Sequence, residues 1–240
     1  MTDANLIEIF CILDEFCKYF APELKKHTLK VPGKRHRNRP SRMSDSEIMT
    51  ILTLFHTYRF RDLKSFYLGY VCQHMRNEFP HPLSYNRFVE RQAQVGLHHL
   101  LFLQTCALGK CTGISIIDST PLVSCHIKRM HMHKTMKGWA AKGKCTMGWF
   151  YGFKLHLVTK IKKNMKNSLM NLHDKLILRK RKIIETVNDE LKNVCQIEHT
   201  RHRSFDNFAT NLLAGLIAYN MLPKKPAKNI EIIDKSRLIA

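Results

Sequence analysis

The stretch CTGISIIDSTPLV, residues 111–123, sets a single acid, Asp118, at the end of an apolar run. Ile114, Ile116 and Ile117 predict a short strand, and Ser119-Thr120-Pro121 is expected to interrupt it. A carboxylate held where a buried strand reaches the surface costs desolvation energy unless something positive lies beside it. The reading of the chain turns on what Asp118 holds and which other acids help it.

Outward from this strand the pattern is β on one side and helical on the other. In GWFYGFKLHLV (148–158), Phe153, Leu155 and Leu157 alternate with Lys154, His156 and Val158, which predicts a second strand. TKIKK is expected as a third, short one. Helix returns in NLHDKLILRKRKIIETVNDELKNVCQI, and FATNLLAGLIAYNML predicts a final apolar helix that stops at Pro223. Upstream, Leu6, Ile7, Phe10, Leu13, Phe16, Cys17 and Phe20 recur at helical spacing, so residues 5–20 predict an amphipathic helix with Pro22 just beyond it. Ser44 and Glu47 form a capping box before an apolar run. Asp62 caps LKSFYLGYVCQHMRN, FPHPLS breaks the chain, and Ser84 leads a longer helix over 85–108. Three helices with short connections resemble a helix-turn-helix arrangement. Asn86, Arg87 and Arg91 then face a DNA groove or backbone, or form an ordinary solvated face.

Charge narrows the partner. Forty Lys and Arg against 19 Asp and Glu give a net charge of +21. A field of that size points to a polyanion, and nucleic acid leads. An anionic membrane surface would want a basic amphipathic helix or lipid anchor, and neither is evident. Residues 25–42, KKHTLKVPGKRHRNRPSR, carry eight Lys/Arg and no acid. They read as a basic linker in which Lys34, Arg35, Arg37 and Arg39 contact phosphate. Between Ser119 and Ile184 there are 16 Lys/Arg and one acid, Asp174. The eight cysteines are scattered without a CxxC pair and are expected to be reduced thiols. With Asp3 and Glu8 where a signal peptide would be basic, and no run near the ~20 apolar residues of a membrane span, the expected location is the cytoplasm.

Two constellations bear on chemistry. His126, His131 and His133 lack further ligands at structural zinc spacing and lie in strongly basic surroundings, which disfavours a cation. Arg181, Glu185 and Lys192 share one helical face, setting an anion between two cations. By itself this stripe reads either as an ordinary Arg181–Glu185 pair or as a metal-binding carboxylate flanked by phosphate-holding cations.

Taken together, SIIDSTPL, KGKCTMGWFYGFKLHLV, the R-x3-E-x6-K spacing at Arg181, Glu185 and Lys192, and HTRHRSFDNFATNLLAGLIAYN resemble, in this order, the DDE transposases of bacterial insertion sequences. The resemblance implies an α+β chain: a helical, DNA-binding N-terminal part (1–110) with its basic linker, an RNase H-like α/β core (111–222), and a tail (223–240). It implies DNA cleavage and strand transfer in a bacterial cytoplasm, with double-stranded element-end and target DNA as substrates. A homodimer is compatible with it, and no membrane partner is expected. In that family three carboxylates hold two Mg²⁺ ions, about 3.5–4 Å apart, against the phosphodiester. Asp118 matches the first carboxylate and Glu185 the last; Arg181 and Lys192 match the signature's cations. The aromatic residue, usually Tyr, that the family places shortly before that arginine is not kept, and Leu178 stands in its region.

The second Asp has no match. Asp174 is eleven positions before Glu185, about 16 Å along one helix. Asp189 stands one turn after Glu185 on the same helix and cannot oppose it from a neighbouring strand. The expectation is an internal deletion with its junction between Val158 and Thr159, which removes the strand bearing the second Asp and leaves the Phe and Leu face of 148–158 under-covered. Such a transposase is catalytically defective. The alternatives are a non-catalytic DNA-binding protein acting on element ends and a basic RNA-associated protein, the latter without a clustered aromatic stacking motif.

Overall fold

The computed structural model describes residues 3–27, 41–108, 114–161, 181–198 and 202–222. Helix α1 spans Asp3–His27 and α2 spans Asp45–Thr57. Helix α3 covers 63–74, with a π segment, Phe66–Val71, between two α turns. Helix α4 is Tyr85–Gln94, and α5 is Gly96–Phe102, continued by a π turn to Ala107. Strands β1 (Ile114–Cys125), β2 (Ala141–Cys145) and β3 (Gly148–Ile161) follow. Helix α6, Arg181–Asp189, runs on as a π turn to Val194, and α7 is Phe205–Asn220.

The helical part is built around α2. Its residues from Ile48 through His56 are all buried, so it lies at the centre of the bundle rather than on its surface. The capping box fixes where it begins: the Ser44 N–H donates to Glu47 Oε2 (2.6 Å), and the Glu47 N–H donates to Ser44 Oγ (3.1 Å). Ser46 Oγ then donates to Asp14 Oδ1 (2.8 Å), which ties α2 to α1. Asp62 caps α3 by accepting the Ser65 N–H. The Tyr67 ring stacks on Phe88 at 4.2 Å, and its hydroxyl donates to the Leu83 carbonyl (2.7 Å).

The sheet is antiparallel with order β1-β3-β2. Asp118 pairs with Leu157, Thr120 with Leu155 and Leu122 with Phe153, so these six share one face. Helices α6 and α7 cover that face through Val187, Leu191 and Phe208. Helix α7 links the two cores. Phe208 and Ala218 join the sheet cluster, while Ala214 and Ile217 join the helical core.

Several boundaries differ from the sequence reading. Helix α1 passes through exposed Pro22 to His27, because a proline deletes one backbone bond and here the next turn is supported by the Glu23–Lys26 pair at 2.7 Å. Most of the basic linker, including Lys34, Arg35, Arg37 and Arg39, lies outside the described residues. The long helix expected over 85–108 breaks at Val95. A Cβ on Gly96 would meet Thr210 Oγ1 at 2.6 Å, so this glycine lets α5 start hard against α7. Strand β1 does not end at Ser119-Thr120-Pro121. It continues to Cys125 with Pro121 opposite Lys154, which is tolerated because β1 is an edge strand among the described residues. Asp118 is therefore inside the strand and not at its end.

Thr159, Lys160 and Ile161 of TKIKK belong to β3, Lys162 and Lys163 lie outside the described residues, and β2 is an additional strand that polar AKGKC did not mark. Phe153, Leu155 and Leu157 are half-buried rather than under-covered; the bare apolar side chains of the sheet include Ile117 and Val158, on its other face. Asp174 lies outside the described residues.

Candidate active site

Helix α6 lies on the sheet through Ile184, Val187 and Leu191, all buried, at the i, i+3, i+7 spacing of one helical face. Asn188 adjoins this stripe, and its Nδ2 donates to Asp118 Oδ2 at 2.7 Å. Asp118 is thus a half-buried carboxylate whose partner is a neutral amide from the facing helix. A hydrogen bond to a charged group is worth roughly 1.5–3 kcal/mol, which offsets part of its desolvation. Asn188 Oδ1 is itself buried without a partner.

Glu185 stands three residues before Asn188 on the same flank of α6 and is exposed. The fold brings the two expected carboxylates onto adjoining elements, β1 and α6, but the group in direct contact with Asp118 is Asn188. Arg181 opens α6 one turn before Glu185. Lys192 is turned to Glu198, with Nζ and Oε1 2.5 Å apart. Asp189 is exposed and accepts from Asn193 Nδ2 (2.6 Å), so it is engaged along the helix and not across to the sheet.

Of the expected N-terminal cations, Arg87 and Arg91 are also engaged. Arg87 pairs with Glu90 at 2.5 Å. Arg91 pairs with Asp45, which ties α4 to the first turn of α2, and also donates to Gln94 Oε1 (2.5 Å). Of the three histidines near residue 130, His126 has a structural role: its Nδ1 accepts the Lys128 N–H and caps the short 3-10 turn Ile127–Met132.

A pair of Mg²⁺ ions needs near-octahedral oxygen from acids on opposing elements. Among the described residues no three or more His, Cys, Asp or Glu side chains gather where they could hold a metal ion. Asp118 with an amide at hydrogen-bond distance and an exposed Glu185 do not fit a two-ion clamp.

Asn188 does not stand out in the sequence, although a signal for it is present. It lies three residues from Glu185, so once Glu185 is assigned to the sheet-facing side of a helix, Asn188 is its neighbour on that side. The buried histidines carry no such signal. His56 Nδ1 donates to the Cys195 carbonyl (2.5 Å), joining α2 to the end of α6, and His99 Nδ1 donates to the Val95 carbonyl (2.9 Å). Burial pushes both imidazoles down, His99 to about 4.

Among the described residues no helix is long and apolar enough to cross a membrane. The family model of the transposase DDE domain matches this chain in two segments, residues 108–160 and 157–205. Neither the curated proteins nor the solved structures contain a match. The matched segments contain β1 with Asp118, the β2–β3 hairpin and α6 with Glu185 and Asn188, so the elements that form the site are those the family model describes. Residues 108–205 of this chain are thus similar to the transposase DDE domain.

Proposed function

We propose that this chain is a bacterial insertion-sequence transposase that has lost an internal segment, and that it binds DNA without joining it. DNA is the substrate of the family, and the net charge of +21 suits a polyanion. The observation that carries the reading is the state of Asp118: its carboxylate takes an amide hydrogen bond from Asn188, and Glu185 is the one further acid of the expected set within the described residues.

The two-segment match supports a deletion. Its pieces meet at residues 157–160, around the Val158–Thr159 junction expected from the sequence. A family RNase H-like core with the second acid on a later strand would need sheet beyond β1, β2 and β3. We read residues 1–110 as the DNA-gripping part and 111–222 as the remnant of the catalytic core, with α7 packed against both. Arg181, Lys192 and the linker cations Lys34, Arg35, Arg37 and Arg39 are assigned to phosphate, and Arg87 and Arg91 to the same surface once their ion pairs open. Asp118 and Glu185 are the remaining metal-directed carboxylates, and a chain holding DNA in this state competes with an intact transposase at element ends.

The test is a paired assay on element-end DNA with Mg²⁺. Binding without strand joining is expected. Robust joining that disappears in Asp118→Ala or Glu185→Ala would overturn the loss of catalysis, and preference for structured RNA over duplex DNA at raised salt would overturn the DNA reading.

A further inference from the structure

A cleft of about 730 Å³ opens between α3 and the first turns of α4 and α7, on the helical part of the molecule and formed by none of the Asp118 site residues. Three exposed cations line it: Arg61, Lys64 and Arg203. None of them takes part in the ion pairs that engage Arg87, Arg91 and Lys192. Asp62 is the acid on its wall, and Asp62 Oδ2 accepts both the backbone N–H and the hydroxyl of Ser65.

The backbone adds to this positive character. Helix α4 has ten residues, and Ser84 at its N-cap makes no side-chain capping bond. Its first-turn N–H groups therefore lack both an intrahelical acceptor and a substitute from the cap, and Ser84, Tyr85 and Asn86 border the cleft. Helix α7 begins at the same cleft, with Ser204 and Asn207 on its wall. The α7 end is capped by Ser204, whose Oγ accepts the Asn207 N–H, so it is the uncapped α4 N-terminus and the three cations facing one concavity that favour an anion.

An independent observation comes from the cleft lining. Gln92 is wholly buried; its Nε2 donates to the Asn207 carbonyl (3.2 Å), while its Oε1 has no partner. Asn211, 1% exposed, lines the cleft beside it, its side chain hydrogen-bonded toward the His56 and His202 rings. Buried acceptors without donors are exceptions that call for a reason. A ligand that brings hydrogen-bond donors alongside its negative charge supplies one.

We propose that this cleft binds a phosphodiester of DNA together with its adjoining nucleoside, a DNA contact separate from the Asp118 site. The phosphate would meet Arg61, Lys64, Arg203 and the α4 amides, and the nucleoside would lie toward Gln92 and Asn207. The inference rests on the reading of the chain as a DNA binder and assigns part of that binding to a surface built jointly by the N-terminal helices and α7.

The experiment is fluorescence anisotropy of a labelled DNA duplex with the full chain across a KCl series, with circular dichroism to verify folding. Substituting Arg61→Ala, Lys64→Ala and Arg203→Ala together should lower the slope of log K against log salt by about 0.9, the contribution of the one phosphate no longer neutralised. A second variant guards against misfolding. Asn86→Asp places an acid in the first turn of α4, where it favours the helix but repels phosphate; it should bind DNA about tenfold more weakly, near 1.4 kcal/mol. If the wild type binds and both variants keep its slope and affinity, the cleft is not a DNA contact, although the chain remains a DNA binder. If the wild type itself fails to bind, the DNA reading falls as well.

Discussion

Lowering the pH should destabilise this protein through a buried histidine that takes no part in the Asp118 site. His99, on α5, is fully buried, donates from Nδ1 to the Val95 carbonyl at 2.9 Å and leaves Nε2 buried without a partner. Desolvation pushes its pKa down from 6.5 to about 4, and nearby His98 and His56 push in the same direction. The folded state therefore rejects a proton that the unfolded chain accepts below pH 6.5. The neutral imidazole costs nothing above about pH 7, and stability falls as the pH drops from about 6.5 toward 4. At pH 5, RT ln[(1 + 10^1.5)/(1 + 10^−1)] gives a loss of about 2 kcal/mol from His99. The assay is urea unfolding at pH 8 and pH 5, followed by circular dichroism, on the wild type and on His99→Leu. The wild type should lose about 2 kcal/mol more than the variant between the two pH values. Equal losses in the two proteins would rule out a buried, neutral His99.

Gly152→Ala should destabilise the sheet by about 1–3 kcal/mol in thermal unfolding, because the new Cβ would lie 2.2 Å from the Leu122 carbonyl oxygen at the β1–β3 irregularity. A wild-type melting temperature would show that β1 does not approach β3 there. Ser44→Ala should cost about 1 kcal/mol by opening the α2 capping box, measured as a shift in urea midpoint. Asn188→Asp sets a second carboxylate against Asp118 and should strengthen Mn²⁺ binding in calorimetry; unchanged binding would mean that Asn188 does not face the ion-directed side of Asp118.

The features legible in the sequence are local. Ser44 and Glu47 announce α2, Asp62 announces α3, and the alternation of Phe153, Leu155 and Leu157 with polar neighbours marks β3, because each depends on residues a few positions apart. The features that are not legible depend on distant neighbours. Pro121 reads as a strand breaker until β1 is known to be an edge among the described residues. Val95 and Gly96 read as helix interior until Thr210 of α7 is seen pressing on Gly96. At the site, Asp118 and Glu185 stand out because acids are scarce in this part of the chain, whereas Asn188 carries no charge and its spacing from Glu185 gains meaning only with its contact to Asp118. The cleft is hidden for the same reason: Arg61, Lys64 and Arg203 are dispersed among 40 basic residues and meet only after α7 folds back on the N-terminal helices.

Counting divalent ions probes the loss of the two-ion centre without any intervening step. Mn²⁺ binding to the full chain, measured by electron paramagnetic resonance with element-end DNA present, should show at most one weakly held ion that is lost in Asp118→Ala. Two tightly held ions per chain, both lost in Asp118→Ala, would be incompatible with that loss, since they would require an opposing acid in the site beyond Asp118 and Glu185.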